Sequence, residues 1–231
     1  MIIDQPVTEG RLLRRYKRFL ADVELPTGEL VTAHCPNTGS LTGCVPEGAR
    51  AVLRDSQNPK RKLRWTLQTV EVEGTWVNVD TGLPNALVAE AVAADRVPEL
   101  TGYEGLRREV RYGEGSRIDL LLERPGERCY VEVKSTTLAG AGLARFPDAV
   151  TERGRKHLEE LARMVKEGHR AVIFFCVSRG DVERFAPADD IDPRYGEVLR
   201  RVLSQGVEPL AYSTRVEPGS FELGERLRIE L

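Results

Sequence analysis

Asp119, Glu132 and Lys134 are the residues of this chain most suited to chemistry. They sit in two runs that otherwise read as buried strands, Arg117-Ile118-Asp119-Leu120-Leu121-Leu122 and Cys129-Tyr130-Val131-Glu132-Val133-Lys134. Between them, Glu123-Arg124-Pro125-Gly126-Glu127 is a polar break, so a hairpin is the simple reading. A buried charge without a partner is costly, and strands rarely carry such groups for packing alone. Glu132 and Lys134 are two apart and share a face of their strand. Asp119 on the neighbouring strand can reach that face. Two carboxylates and an ammonium then converge, which suits a hard cation such as Mg²⁺ or Mn²⁺. Mg²⁺ takes oxygen ligands, few of them from protein, and keeps waters and substrate phosphates. Asp119 and Glu132 would be ligands, with the backbone carbonyl of Val133 as a third. Lys134 would orient or deprotonate a water, or neutralise charge building on a phosphate.

The Asp, then Glu-x-Lys arrangement resembles the PD-(D/E)XK nuclease signature. More narrowly, the strings SRIDLLL, CYVEVKSTTL and FPDAVTERGRKHLEEL resemble the sugar fermentation stimulation protein A (SfsA) family. HCPNTGSL and NPKRKLRWTL, nearer the N-terminus, resemble the same family, so the likeness spans essentially the whole chain. It implies an OB-type barrel followed by a nuclease-like sheet, and DNA binding connected with sugar metabolism. It also implies an extra acid on the first helix of the second half, where Glu90 stands. Related nucleases often place a Gln or Lys near the phosphate at the start of the long helix, where this chain has Arg155, Lys156 and His157. The family pattern has Gln at the position of Arg155, a departure that affects the helix contact and leaves the carboxylates alone. His157 reads as a structural hydrogen-bonder.

The elements that must position these residues fall into two groups. The sequence of 231 residues divides at Thr81-Gly82-Leu83-Pro84-Asn85, giving domains 1–83 and 84–231. The first half reads as five strands without a helix: a long bent strand from Gly10 to Leu25, then ELVTAHC, ARAVLRD, LRWTLQTVEVEG and TWVNVD. Five such strands fit a small closed barrel. Pattern leaves OB and SH3-like barrels open, and the resemblance implies OB. The second half reads as a helix capped by Asn85 and ended by Pro98, three strands, a helix from about Val150 to Glu167, a buried strand RAVIFFCVS, a third helix and a last strand. Asp148 and Thr151 read as entry groups of the long helix. That order is an α/β arrangement with a mixed sheet, and it resembles the PD-(D/E)XK core.

The formal net charge is −2, which does not announce a polyanion binder, but the distribution is uneven. Arg11, Arg14, Arg15, Lys17 and Arg18 form one basic run without an acid. Arg50 to Arg64 form a second, including Lys60, Arg61 and Lys62. The loop Asn37-Thr38-Gly39-Ser40 offers small polar groups and amides suited to a phosphate. Trp65 and Tyr16 can stack on bases or fill the core, with core favoured for Trp65. The nucleic-acid contacts expected are therefore Arg15, Lys17, Asn37, Thr38, Gly39, Ser40, Lys60, Arg61, Lys62, Trp65, Arg155 and Lys156. The partner expected is nucleic acid, DNA before RNA, with no membrane and with the oligomeric state open, a homodimer included. No apolar run is long enough to span a bilayer and no signal pattern opens the chain, so a cytoplasmic location is expected. Cys35, Cys44, Cys129 and Cys176 are dispersed and read as reduced, and His34, Cys35 and Cys44 lack a fourth zinc ligand at normal spacing.

Two functions compete. One is a Mg²⁺-dependent phosphodiesterase whose barrel holds the strand that the second domain cuts. The other is a non-catalytic, regulatory DNA-binding protein that uses a nuclease fold to grip phosphates. An unrelated protein with a buried ion-pair network is a third reading.

Overall fold

The computed structural model describes residues 1–113 and 115–231. Its first sheet holds β1 (Val7–Tyr16), β2 (Leu20–Glu24), β3 (Leu30–His34), β4 (Arg50–Asp55), β5 (Trp65–Val72) and β6 (Thr75–Asn78). The order is β3-β2-β1-β4-β5-β6, and a further pairing of β3 with β5 through His34 and Thr66 closes the first five into a barrel. Leu12, Val23, Ala33, Leu53, Leu67 and Val70 fill it without solvent exposure. Gly10 lets β1 and β2 approach closely: a Cβ there would lie 2.7 Å from Val23 Cγ1 and 2.8 Å from the Glu24 carbonyl oxygen.

The long bent strand expected from Gly10 to Leu25 is instead the hairpin of β1 and β2. Tyr16 pairs with Leu20 across a turn in which Lys17 and Arg18 have φ of 48° and 66°. Hairpin turns of this hand normally signal themselves with Asn or Gly, and this one does not.

The second half contains α1 (Pro84–Ala93), β7 (Gly105–Tyr112), β8 (Ser116–Arg124), β9 (Glu127–Thr136), β10 (Ala139–Gly140) and β11 (Leu143–Phe146). It continues with α2 (Glu152–Lys166), β12 (Arg170–Val177), β13 (Arg184–Pro187), α3 (Pro193–Ser204), β14 (Glu208–Glu217), β15 (Ser220–Arg226) and β16 (Arg228–Ile229). The main sheet runs β15-β14-β12-β9-β8-β7. β7, β8 and β9 are antiparallel, whereas β9, β12 and β14 are parallel. Helix α1 packs on one face through Leu87, Val88 and Ala91 against Leu120, Leu122 and Val131. Helices α2 and α3 cover the other through Leu158, Leu161, Tyr195 and Leu199 against Ile118, Leu121 and Phe175. Helix, three antiparallel strands, helix and parallel strand is the core order expected. The short strands β10, β11, β13 and β16, which form a small separate sheet, were not foreseen, nor was β15.

Asn85 does not cap α1. Leu83 occupies the cap position without a side-chain hydrogen bond, and Pro84 supplies the preset φ of the first turn. No helix is long and apolar enough to cross a membrane among the described residues.

Candidate functional site

The ladder between β8 and β9 runs from Arg124 and Glu127 to Leu120 and Val131, and there it stops. Beyond that point β8 stays with β7 and β9 stays with β12. The strands part where Asp119 and Glu132 stand, and a cavity of about 720 Å³ opens there. Asp119, Glu132, Val133, Lys134 and Ser135 line it from the sheet, and Asn85, Arg153, Lys156 and His157 from the helices.

Asp119 takes over the backbone pairing that the parted strand no longer supplies. Its Oδ2 accepts the Val133 N–H at 2.7 Å, and its Oδ1 accepts the Asn85 side-chain amide at 2.6 Å. Burial first, then repulsion from Glu132, pushes its carboxyl up to about 6 against a relief from the Val133 N–H. In a strand, one residue's N–H and C=O point the same way. The Val133 carbonyl therefore faces the gap that its N–H faces.

Glu132 is 2% exposed. Its Oε1 accepts from Lys134 Nζ at 2.6 Å and from His157 Nδ1 in a short contact. Arg153 Nε donates to His157 Nε2 at 3.2 Å, so the network assigns the proton to Nδ1. Burial would raise the Glu132 carboxyl, but the His157 hydrogen bond and the Lys134 charge outweigh it and hold the group below its ordinary value. Glu132 Oε2 is buried and has no hydrogen-bond partner. Glu132 lines the cavity, and a buried carboxylate oxygen without a donor is what a cation would satisfy.

Among the described residues no three His, Cys, Asp or Glu side chains are gathered closely enough to hold a metal alone. Two carboxylates, a carbonyl and room for water fit a hydrated Mg²⁺ or Mn²⁺, which does not need an all-protein cage. They fit zinc poorly, since no thiolate lines the cavity and all four cysteines are free and buried elsewhere.

Residues 13–79 match the family described as the SfsA N-terminal OB domain, and residues 82–220 match the sugar fermentation stimulation protein RE domain. The chain belongs to the SfsA family. It is 55% identical to a sugar fermentation stimulation protein homolog of Geobacter sulfurreducens over 99% of this chain and 98% of that one. It is likewise 55% identical to the homolog of Pelobacter propionicus over 98% of each. The solved structure of Pyrococcus furiosus SfsA in complex with Ca²⁺ superposes with a TM-score of 0.90 at 30% identity, covering all of both chains. The architecture of this SfsA-family chain is an OB barrel followed by the mixed-sheet RE domain.

Several residues expected at the site lie elsewhere. Glu90 is 46% exposed and pairs with the Met1 ammonium and with Arg96. It lies five residues beyond Asn85, which does face the cavity, and a helix turns it to another side. Arg155 does not line the cavity: its Nη1 donates to both oxygens of Asp192, at 3.1 and 2.8 Å, where Asp192 caps α3. Arg15 is spent on the barrel's own loop, donating to the carbonyls of Arg18, Asn37, Gly39 and Ser40.

Part of that loop is committed to the protein itself. Gly39 N donates to Asn37 Oδ1, Leu41 N donates to Asp148 Oδ2, and Ser40 Oγ donates to the Asp148 carbonyl. Ser40 and Leu41 thus join the barrel to the second domain at a carboxylate that repels anions, and the Thr38 carbonyl is held by Arg18. Asp148 serves this joint and not α2, whose cap is Thr151 accepting from Gly154.

Lys17, Lys60 and Lys62 are exposed, and Arg61 leans on Thr66. Trp65 is half-buried against the barrel core with the Arg64 guanidinium over its ring at 4.9 Å. Lys156 does reach the cavity. Sequence reasoning missed Asn85, Arg117 and Arg153, which line the cavity too. Arg153, four residues before His157 on α2, was detectable as an i,i+4 neighbour.

Proposed function

We propose that this SfsA-family protein is a divalent-cation-dependent phosphodiesterase acting on nucleic acid, with DNA the first substrate to test. The observation that carries the reading is the gap between β8 and β9, where Asp119 and Glu132, with one oxygen unpartnered, line a single cavity beside Lys134. Asp119, Glu132 and the Val133 carbonyl would hold the cation. When bound, it would supply positive charge against a phosphate oxygen and acidify water. The relative from Pyrococcus furiosus was solved with Ca²⁺, a hard cation with the same preference for oxygen ligands.

The rest is done by this chain's own groups. Asn85 fixes Asp119, and the Arg153–His157 pair fixes Glu132, so neither carboxylate needs to reorganise as charge develops. Lys134 Nζ, held at Glu132, orients an attacking water or neutralises charge on the phosphate. Arg117, Arg153 and Lys156 attract the polyanion to the cavity. The exposed Lys17, Lys60 and Lys62 give the barrel a second contact with the strand. A cytoplasmic location belongs to the same proposal.

The test incubates the purified protein with single- and double-stranded DNA and RNA, with Mg²⁺ or Mn²⁺, beside Asp119→Ala and Lys134→Ala. Cation-dependent cleavage abolished in both variants supports the enzyme. Salt-sensitive binding with no cleavage of any substrate supports the second reading, a DNA-binding protein without catalysis. That reading is favoured by one observation: Lys134 and His157 already occupy Glu132 Oε1.

A further inference from the structure

Strand β7 pairs with β8 in one constant register from which a single pair is missing. Arg108 faces Leu120 and Val110 faces Ile118, so Glu109, directly across from Asp119, leaves the ladder. Its φ is 54°, a left-handed conformation unusual outside glycine. Glu109 lies on the cavity wall, on the opposite side of Asp119 from Glu132 in strand order. Glu109 is near enough to add to the repulsion on Asp119. Among the described residues it has no hydrogen-bond or ion-pair partner, although Arg107, Arg108 and Arg111 surround it in sequence.

A strained backbone that places an unpaired carboxylate beside two others works against stability unless a cation enters the space between them. The independent sign of that cation is Glu132, 2% exposed, with Oε2 unpartnered in the same cavity wall. The three carboxylates are not drawn together tightly enough to close on a bare ion. A carboxylate outside bonding reach of the ion would act through the ion's bound water.

We propose that Glu109 is a third carboxylate of the cation site, presented by β7 directly across from Asp119 to hold the ion's bound water. It fills from the edge strand the part that Glu90 was expected to fill from α1. The proposal rests on the cation reading of Asp119 and Glu132, and the test separates the two. Mn²⁺ is titrated calorimetrically into the full-length chain as wild type, Glu109→Gln, Glu109→Gly, Asp119→Asn and Glu90→Gln, in 0.1 M and in 1 M KCl. Glycine suits the left-handed backbone, so Glu109→Gly keeps the fold and its melting temperature does not fall.

Both Glu109 variants should bind Mn²⁺ about tenfold more weakly than wild type, the scale of a lost outer-shell partner. Glu90→Gln should bind as wild type, and Asp119→Asn more weakly than any other. The Glu109 effect should persist in 1 M KCl, where the screening length is only about 3 Å. Glu109 variants within twofold of wild type, with Asp119→Asn impaired, would overturn the role of Glu109 and leave the site standing. An effect that vanishes in 1 M KCl would overturn it too, since a screened field and not ligation would be the cause. Wild-type protein that takes up no Mn²⁺ would overturn both.

Discussion

Asp119→Asn should make the cation-free protein more stable at pH 8. The Asp119 carboxyl is raised from 3.8 to about 6, first by burial and then by Glu132. A shift of about two units corresponds to about 3 kcal/mol between its two protonation states, an upper bound for a group that keeps some solvent contact. The sign follows from proton counting. Between pH 3.8 and about 6 the folded state holds a proton that the unfolded state has lost, so stability falls as pH rises through that window and stays low above it. The substituted amide keeps both contacts: its oxygen accepts the Val133 N–H, and its NH₂ donates to the Asn85 oxygen once that amide turns over. For a chain of this length a gain of about 3 kcal/mol is roughly 6–12 °C in Tm. Thermal melting in EDTA should show the variant above wild type at pH 8 and the gap closing near pH 4.5. Adding Mn²⁺ should raise the wild type alone and narrow or reverse the gap. A variant that melts with or below wild type in EDTA at pH 8, or a gap that ignores pH, would refute the reasoning.

Other consequences are open to measurement. Arg15→Ala removes the donor to four carbonyls and should cost about 2–3 kcal/mol in urea unfolding, with faster hydrogen exchange at Gly39 and Leu41; unchanged exchange there would contradict its role in the joint. His157→Ala frees Glu132 from its orienting partner and should weaken Mn²⁺ binding by about 10–100-fold, whereas an unaltered isotherm would show that Glu132 is held by packing alone. The double variant Lys60→Ala, Lys62→Ala should leave the melting temperature unchanged and lower the salt slope of duplex DNA binding by about 2; an unchanged slope removes this loop from the interface.

The residues nearest the site were legible because they break a strong pattern. Asp119, Glu132 and Lys134 are charges in runs of Val, Ile and Leu, and such a run needs a reason to hold them. Helix α2 was legible through its apolar spacing, and its first helical residue, Glu152, lies within two positions of the expectation. What could not be read depended on backbone choices that leave no mark in residue type. Lys17 and Arg18 turn a hairpin in left-handed conformations without a Gly or Asn to announce it. Glu109 looks like one more polar residue in an alternating strand, and its left-handed backbone leaves no mark in residue type. Asn85 has the type and position of a helix cap, and only the tertiary approach of Asp119 gives it another task. Arg15 and Arg155 were misplaced for a related reason. A basic side chain beside a predicted site looks available for phosphate, and sequence does not reveal a carbonyl cluster or a buried Asp192 that claims it first.

The most direct measurement is an anomalous difference map from a crystal of this protein soaked in Mn²⁺. The account predicts a peak in the gap between β8 and β9, about 2.0–2.3 Å from an Asp119 oxygen, a Glu132 oxygen and the Val133 carbonyl, with waters completing the shell. A peak elsewhere, or a filled lattice with none between the two carboxylates, would contradict it.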